Sequence, residues 1–228
     1  MIHPPESEAE LLDRAWDLAG LTMGELARNL DQQTPENLLR NKGWIGEILE
    51  QALGATAGSK PEPDFQLIGV ELKTIPIKMV NQKYWQPKES THVCTVPMIN
   101  TQGMSWKNSL VKKKLSRVLW IPVEYNDQIK LTDRKIGSPL IWSPTTEEES
   151  FIKTDWEEFM ELISLGELDQ ITAHLGEVLQ IRPKAVNSKA LTESVGKEGE
   201  RVRSLPRGFY LRTSFTASLL NKHYHLNS

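Results

Sequence analysis

The sequence holds a single cysteine, Cys94, in 228 residues, so an internal disulfide is excluded and a reducing compartment is expected. Cys94 lies in Val93-Cys94-Thr95-Val96, where a thiol reads as a small core filler and not as a nucleophile. No apolar run approaches the ~20 residues that span a bilayer. The stretch Met1-Ile2-His3-Pro4-Pro5-Glu6 has neither a basic nor an apolar leader region, so the cytoplasm is the expected location. No P-loop is present, no G-x-G-x-x-G follows a strand, and no G-x-S-x-G elbow supports a serine hydrolase. His3, His92, His174, His223 and His225 show no zinc-ligand spacing with Cys94. Bulk positive charge is missing too: 27 Lys and Arg face 30 Asp and Glu, for a net charge of -3.

What charge there is has been segregated. Thr145 to Asp169 carries nine acids and one base, whereas Arg182 to Arg212 carries eight bases and three acids. Lys107, Lys112, Lys113, Lys114 and Arg117 form a second basic cluster. Affinity for phosphates depends on such local patches and not on the net charge, so an acidic overall balance does not exclude a nucleic-acid site.

The chain is organised around Pro61-Glu62-Pro63-Asp64-Phe65-Gln66-Leu67-Ile68-Gly69-Val70-Glu71-Leu72-Lys73-Thr74-Ile75-Pro76. In an extended strand, residues two apart share a face, so Glu71 and Lys73 project together while Val70 and Leu72 point to the opposite, buried side. A tight turn at Ile68-Gly69 would bring Asp64 back alongside them. Two carboxylates and an ammonium at a sheet edge suit a hard cation and a phosphate, the D…E-x-K pattern of metal-dependent nucleases. Glu71-Leu72-Lys73 is the one E-x-K in the chain, but the motif is short, and a solvated strand face with an incidental ion pair worth ~0–1 kcal/mol is the bland alternative. Mg²⁺ takes oxygen ligands and keeps several waters, so Asp64, Glu71 and the carbonyl of Leu72 are the expected protein ligands. Two neighbouring carboxylates favour a protonated Lys73, expected to orient the nucleophile and to offset negative charge at phosphorus. Lys114 is a second candidate cation.

Around this motif, Ser7-Glu8-Ala9-Glu10 and Thr22-Met23-Gly24-Glu25 are capping boxes that open two helices. Thr34-Pro35-Glu36 reads as the start of another helical turn. Trp44, Ile48, Leu49, Ala52 and Leu53 form the apolar stripe of a core-facing helix ended by Gly54, with Glu50 at its edge and, on burial statistics, facing water. Lys78 to Ser90 is polar and reads as an excursion. Strands are expected at Thr91 to Met98, Arg117 to Val123, Gly137 to Trp142, Glu177 to Arg182 and Arg207 to Arg212. A basic helix should follow Ser105, an acidic amphipathic helix should start at Thr154, and a last helix should be capped by Thr213 or Ser214. Strands interleaved with helices imply an α/β (α+β) fold with a mixed central sheet flanked by helices.

Several stretches together resemble the MutH family: Asn41-Lys42-Gly43-Trp44-Ile45-Gly46, Gly58-Ser59-Lys60-Pro61-Glu62, and Asp64 with Gly69-Val70-Glu71-Leu72-Lys73-Thr74-Ile75-Pro76. Val118-Leu119-Trp120-Ile121-Pro122-Val123-Glu124, Gly137-Ser138-Pro139-Leu140, Ile181-Arg182-Pro183-Lys184-Ala185 and Leu205-Pro206-Arg207-Gly208-Phe209-Tyr210-Leu211 extend the likeness over nearly the whole chain. The resemblance implies a restriction endonuclease-like fold, with residues 1–228 as one domain of two closely packed lobes and a DNA-binding cleft between them. It implies a Mg²⁺-dependent, monomeric endonuclease of methyl-directed mismatch repair, which nicks the unmethylated strand at hemimethylated GATC and is activated by MutL, with MutS and ATP upstream. It places catalytic roles on Asp64, Glu71, Lys73, Glu50 and Lys114, and DNA contacts on Lys42, Arg182, Pro183, Lys184 and Tyr210, with Tyr210 as the sensor of adenine methylation. An N6-methyl in the major groove changes both a donor and a shape, which suits that role. Two departures stand out: the Lys78–Ser90 segment is longer than the family pattern, and His92 stands where a phenylalanine is expected. A restriction enzyme cutting both strands of unmethylated GATC and a non-catalytic DNA-binding adaptor of the same fold remain as alternatives.

Overall fold

A computed structural model of the chain describes residues 2–35, 43–81, 83–184 and 190–224. In chain order it holds α1 (Glu8–Leu18), α2 (Met23–Asn29), α3 (Trp44–Leu53), β1 (Glu71–Val80), β2 (Tyr84–Pro87), β3 (Thr91–Thr95), α4 (Leu110–Leu115), β4 (Val118–Glu124) and β5 (Leu140–Trp142). Then follow α5 (Thr146–Ser164), β6 (Leu179–Pro183), β7 (Thr192–Val195), β8 (Arg201–Ser204), β9 (Arg207–Leu211) and α6 (Thr213–Tyr224). The chain forms two compact units, one of Met1–Glu89, Ser116–Ser143 and Ala217–Ser228, the other of Ser90–Leu115 and Pro144–Thr216.

The first unit is built on the sheet β2-β1-β4-β5, in which β1 and β4 run parallel and the outer pairs antiparallel. The apolar run at Val118–Val123 is buried on both faces, as the sequence predicts for a central strand. Leu72, Leu119, Ile121 and Val123 face a helical layer that contributes Leu11, Ala15, Leu26, Ile48, Leu49 and Leu53. Each such fully buried aliphatic side chain stabilises the fold by roughly 1.5–3 kcal/mol. The N-termini of the helices differ in detail. Thr22 and Glu25 form a complete capping box, whereas Ser7 accepts from Glu10 N while the Glu10 carboxylate turns to the amide of Glu6.

The hydrogen bonds of β1 alternate. The Glu71 amide donates to Arg117 O at 2.9 Å and Ile77 O accepts from Tyr125 N at 2.7 Å, so odd positions face β4. Even positions face the other edge, which is why Pro76 is tolerated: its missing N–H lies on the side away from β4, where its carbonyl accepts from Lys88 N at 2.8 Å. Because Pro76 does not end the strand, β1 reaches Val80 and pairs with β2 as a hairpin, Ile77↔Pro87 through Val80↔Tyr84. Lys78–Ser90 is therefore no irregular excursion; its polar residues hid a short alternation carried by Met79, Trp85 and Pro87.

The second unit centres on the antiparallel sheet β3-β9-β6. Its inner face holds Leu179, Ile181, Phe209 and Leu211, packed on α5 through Phe159, whose ring lies 6.3 Å from that of Phe209. Its other face carries His92, Tyr210 and Gln180 side by side in register. The acidic helix starts at Thr146 and not at Thr154, because Thr145 and Glu148 form a capping box just ahead of it. The strand expected at Thr91–Met98 ends at Thr95, and that expected at Gly137–Trp142 is confined to Leu140–Trp142. The β7–β8 hairpin was not expected at all, since its strands bury little apolar surface. Thr34 and Pro35 are not helical, and Glu36 lies outside the described residues.

One buried acid holds this unit together. Asp155, on the apolar stripe of α5, accepts from the amides of Glu177 at 2.9 Å and of Val178 and Leu179 at 2.7 Å, tying the helix to the start of β6. Asp155→Ala leaves these amides without their acceptor and is expected to cost ~3 kcal/mol in chemical denaturation, with Asp155→Asn less damaging. An unchanged denaturation midpoint for Asp155→Ala would show that water replaces the carboxylate freely.

Candidate active site

The turn that precedes β1 places the first acidic group. Phe65 and Val70 exchange backbone hydrogen bonds across it, at 2.9 and 3.3 Å. Gly69 sits at φ 68°, a left-handed conformation that glycine adopts without strain. The chain is thereby folded back so that Oδ2 of Asp64 accepts the Leu72 amide at 2.8 Å. The Asp64 carbonyl in turn accepts from Thr56 N at 2.9 Å and Ala57 N at 3.3 Å, which pins the preceding loop. Leu72 is an even position of β1, so its carbonyl shares the edge with its amide, on the side of Asp64 and away from β4.

Glu71 and Lys73 share a face, as expected, and their side chains meet at 2.5 Å. This is not the solvated pair of the bland alternative. Glu71 is 1% exposed and Asp64 7%, and the Lys73 side chain is nearly buried. Burying an ion pair costs desolvation that its attraction does not reliably offset, so the pair is weak support for stability and a better fit to a chemical role.

Glu50 is the third carboxylate. It projects from α3, half-buried, and its pKa is pushed up from the ordinary 4.5 to about 7. Burial is the main cause, followed by the negative charges of Asp64 and Glu71, with Lys73 acting in the opposite sense. The water-facing reading of Glu50 from burial statistics is thus replaced by a position within the field of the motif. The signal missing from the sequence was the proximity of α3 to Asp64 and Glu71, which are distant from Glu50 along the chain.

Three carboxylates opposed by one lysine leave a surplus of negative charge that a hard cation would neutralise. The donors present, two carboxylates and the Leu72 carbonyl, are all oxygen, as Mg²⁺ requires. Among the described residues no three His, Cys, Asp or Glu side chains form a ready-made metal cage.

The other residues expected at a site lie as follows. Lys42 is outside the described residues. Lys114 is half-buried on α4 of the second unit. Two members of its basic cluster are committed elsewhere: Lys112 Nζ pairs with Glu149 at 2.7 Å, and Arg117 holds Glu8 through bonds of 2.8 and 2.6 Å. Arg182 and Pro183 are exposed on β6, with the Arg182 guanidinium donating to Ser90 Oγ at 2.8 Å. Lys184 follows, exposed, its amide bonded to Pro206 O at 2.7 Å. Tyr210 stands half-buried on β9, its ring edge-on to His92 at 5.1 Å. One neighbour was missed, Gly208. A Cβ on Gly208 would lie 3.0 Å from the Tyr210 ring and 3.1 Å from that of His92, so this glycine makes room for both. A glycine at an alternate position of a strand is the clue that sequence reading passed over.

Comparison with known proteins follows the same line. Residues 53–155 match the family described as DNA mismatch repair enzyme MutH. The chain is 55% identical over 220 residues to the DNA mismatch repair protein MutH of Vibrio campbellii (strain ATCC BAA-1116), covering 96% of each chain. It is 55% identical over 221 residues to the protein of that name from Serratia proteamaculans (strain 568), covering 97% of this chain and 95% of the relative. For Escherichia coli (strain K12) the figures are 54% over 224 residues, 98% and 96%.

The raised Glu50 pKa has a measurable consequence. A carboxyl whose folded-state pKa lies above its unfolded value holds its proton more tightly when folded, so ionisation costs stability. The cost is absent below 4.5, grows between 4.5 and about 7, and is complete above that. Glu50→Gln removes it. In chelator-treated protein the variant should match wild type near about pH 4 and exceed it by about 1 kcal/mol near about pH 8, a figure discounted for solvent screening at a half-buried group. Equal stability at the higher pH would mean that Glu50 ionises as it does in water.

Proposed function

The chain belongs to the MutH family of DNA mismatch repair proteins, and on that premise we propose that it is a Mg²⁺-dependent endonuclease that nicks the unmethylated strand at hemimethylated GATC after activation by MutL. The observation that carries the reading is the assembly at the start of β1, where Asp64, the Leu72 edge, Glu71 and Lys73 converge within the field of Glu50.

Asp64, Glu71 and the Leu72 carbonyl would hold the cation. When bound, Mg²⁺ polarises the phosphate and makes a coordinated water more acidic. Lys73, a cation held in place by Glu71, orients the attacking water and offsets charge that builds up at phosphorus. Glu50 adds a third carboxylate within the field of Asp64 and Glu71. Lys114 adds a further positive charge. Arg182, Pro183, Lys184 and Tyr210 read the site from β6, β9 and the residue after β6, with Lys42 on the DNA backbone. An arginine can bond bidentately to a guanine edge, and Tyr210 at an adenine would meet an N6-methyl group directly. Both units thus serve one domain, which acts as a monomer in the cytoplasm. Among the described residues no helix is long and apolar enough to cross a membrane. One active site per monomer cuts one strand, as strand discrimination requires.

The test is a plasmid with a single hemimethylated GATC, incubated with the protein and Mg²⁺, with and without MutL and ATP. A nick on the unmethylated strand, enhanced by MutL, is expected. Linear product would point to a restriction enzyme, and undiminished binding with no cleavage under any condition would leave only the adaptor. Lys73→Ala should abolish nicking, by at least ~10²-fold as for loss of a transition-state charge, while DNA binding persists. Equal losses of both would contradict the role given to Lys73.

A further inference from the structure

β1 does not end at the cutting groups. It continues from Lys73 to Val80, turns through Asn81 at φ 52°, and returns as β2. At about 3.3 Å per residue, Val80 lies roughly 23 Å along the strand from Lys73, a span of about seven base pairs of duplex at 3.4 Å each. The base of the hairpin is braced. The Lys88 amide bonds Pro76 O at 2.8 Å, the Tyr125 amide bonds Ile77 O at 2.7 Å, and Lys88 Nζ rests 3.4 Å from the centre of the Tyr125 ring.

The far end is left in water with large apolar groups on it. Met79 is 44% exposed and Tyr84 42%, and Trp85, paired with Met79 across the hairpin, is half-exposed. From Ile77 to Lys88 there are three lysines and no acid. Strand alternation puts Met79 on the face of Glu71 and Lys73, and Lys78 on the other with Gln86 opposite it. Positive charge combined with exposed aromatic and thioether groups fits a polyanion with apolar sugar edges, and disfavours a neutral or basic protein surface.

We propose that the β1–β2 hairpin is a second DNA-contacting element, entering a groove of the duplex that flanks the cut as a two-stranded ribbon whose two faces are both used, with Lys78 and Lys83 at phosphates and Met79, Tyr84 and Trp85 at sugar edges. It rests on the nuclease reading for the direction in which the duplex runs from the cut. The contacts carry no sequence information; they lengthen the footprint and add salt-dependent affinity.

The experiment measures binding of wild type and Lys78→Ala/Lys83→Ala against salt concentration in chelator, on two hemimethylated GATC duplexes. One ends within about four base pairs of the cut and the other extends about fifteen base pairs beyond it on both sides. On the long duplex the double variant should lower the log–log salt slope by about two, one for each lysine. On the short duplex, which cannot reach the hairpin, the slopes should coincide. Unchanged slope on the long duplex, or equal loss on both, overturns the proposal. So does a variant with wild-type DNA binding that has lost stimulation by MutL, since the hairpin would then dock a protein. Lys83→Glu, at an exposed turn position, repeats the measurement should the double variant fail to fold. Wild-type protein that binds the long duplex but never nicks it sinks the nuclease reading alone and leaves the slope to decide on the hairpin. Failure to bind either duplex overturns both.

Discussion

A hydrogen bond of 2.8 Å from the Leu72 amide to Oδ2 of Asp64 sets where the carboxylates stand. β1 offers one edge to β4, and at Leu72 the other edge is met not by a strand but by this side chain. The turn through Gly69 makes the approach geometrically possible, and the bond occupies a buried donor that would otherwise lack a strand partner. The same arrangement leaves the Leu72 carbonyl beside a carboxylate, a neutral and a charged oxygen on one edge. Glu71 and Lys73, one residue to either side of Leu72, are carried to the opposite side of the strand from the helical layer.

The electrostatic consequence is an imbalance. Asp64, Glu71 and Glu50 are opposed by Lys73, and burial together with that excess pushes the Glu50 pKa up to about 7. Folding tolerates this because the surrounding core is large, with Leu49, Leu53, Phe65, Val70 and Leu119 almost wholly buried around it. Such a surplus is costly for stability alone and useful for binding a divalent cation, which is where the fold and the chemistry proposed for it meet. In the second unit, by contrast, a buried acid is fully used by backbone donors: Asp155 fixes β6, the strand whose far end carries Arg182 and Pro183. The two buried-acid arrangements differ in this respect, one satisfied by amides and the other left with charge to spare.

Local rules made part of this legible in advance. The period-two spacing of Glu71 and Lys73, the doubly apolar Val118–Val123 run, the Thr22 capping box and the return of Asp64 across Ile68-Gly69 all follow from neighbours in the chain, and all are present. What escaped depended on partners distant in sequence. The hairpin at Lys78–Ser90 needs β2 to pair with the end of β1, and a proline at position 76 suggested a stop where register in fact made it harmless. Glu50 was placed in water because nothing in α3 itself announces Asp64 and Glu71 nearby. Lys112 and Arg117 looked like free members of a basic patch until Glu149 and Glu8 were found beside them. The likeness to MutH extends the expected site beyond spacing, to Glu50 and to Arg182, Pro183, Lys184 and Tyr210.

The central claim is that Asp64 and its neighbours form a divalent-cation site that works on DNA. Calorimetric titration of Ca²⁺ into the protein bound to a hemimethylated GATC duplex tests it without turnover, comparing wild type with Asp64→Asn. The account predicts saturable binding by wild type and its loss in the variant, with duplex affinity in chelator retained. Metal binding of the same strength in both proteins would contradict it.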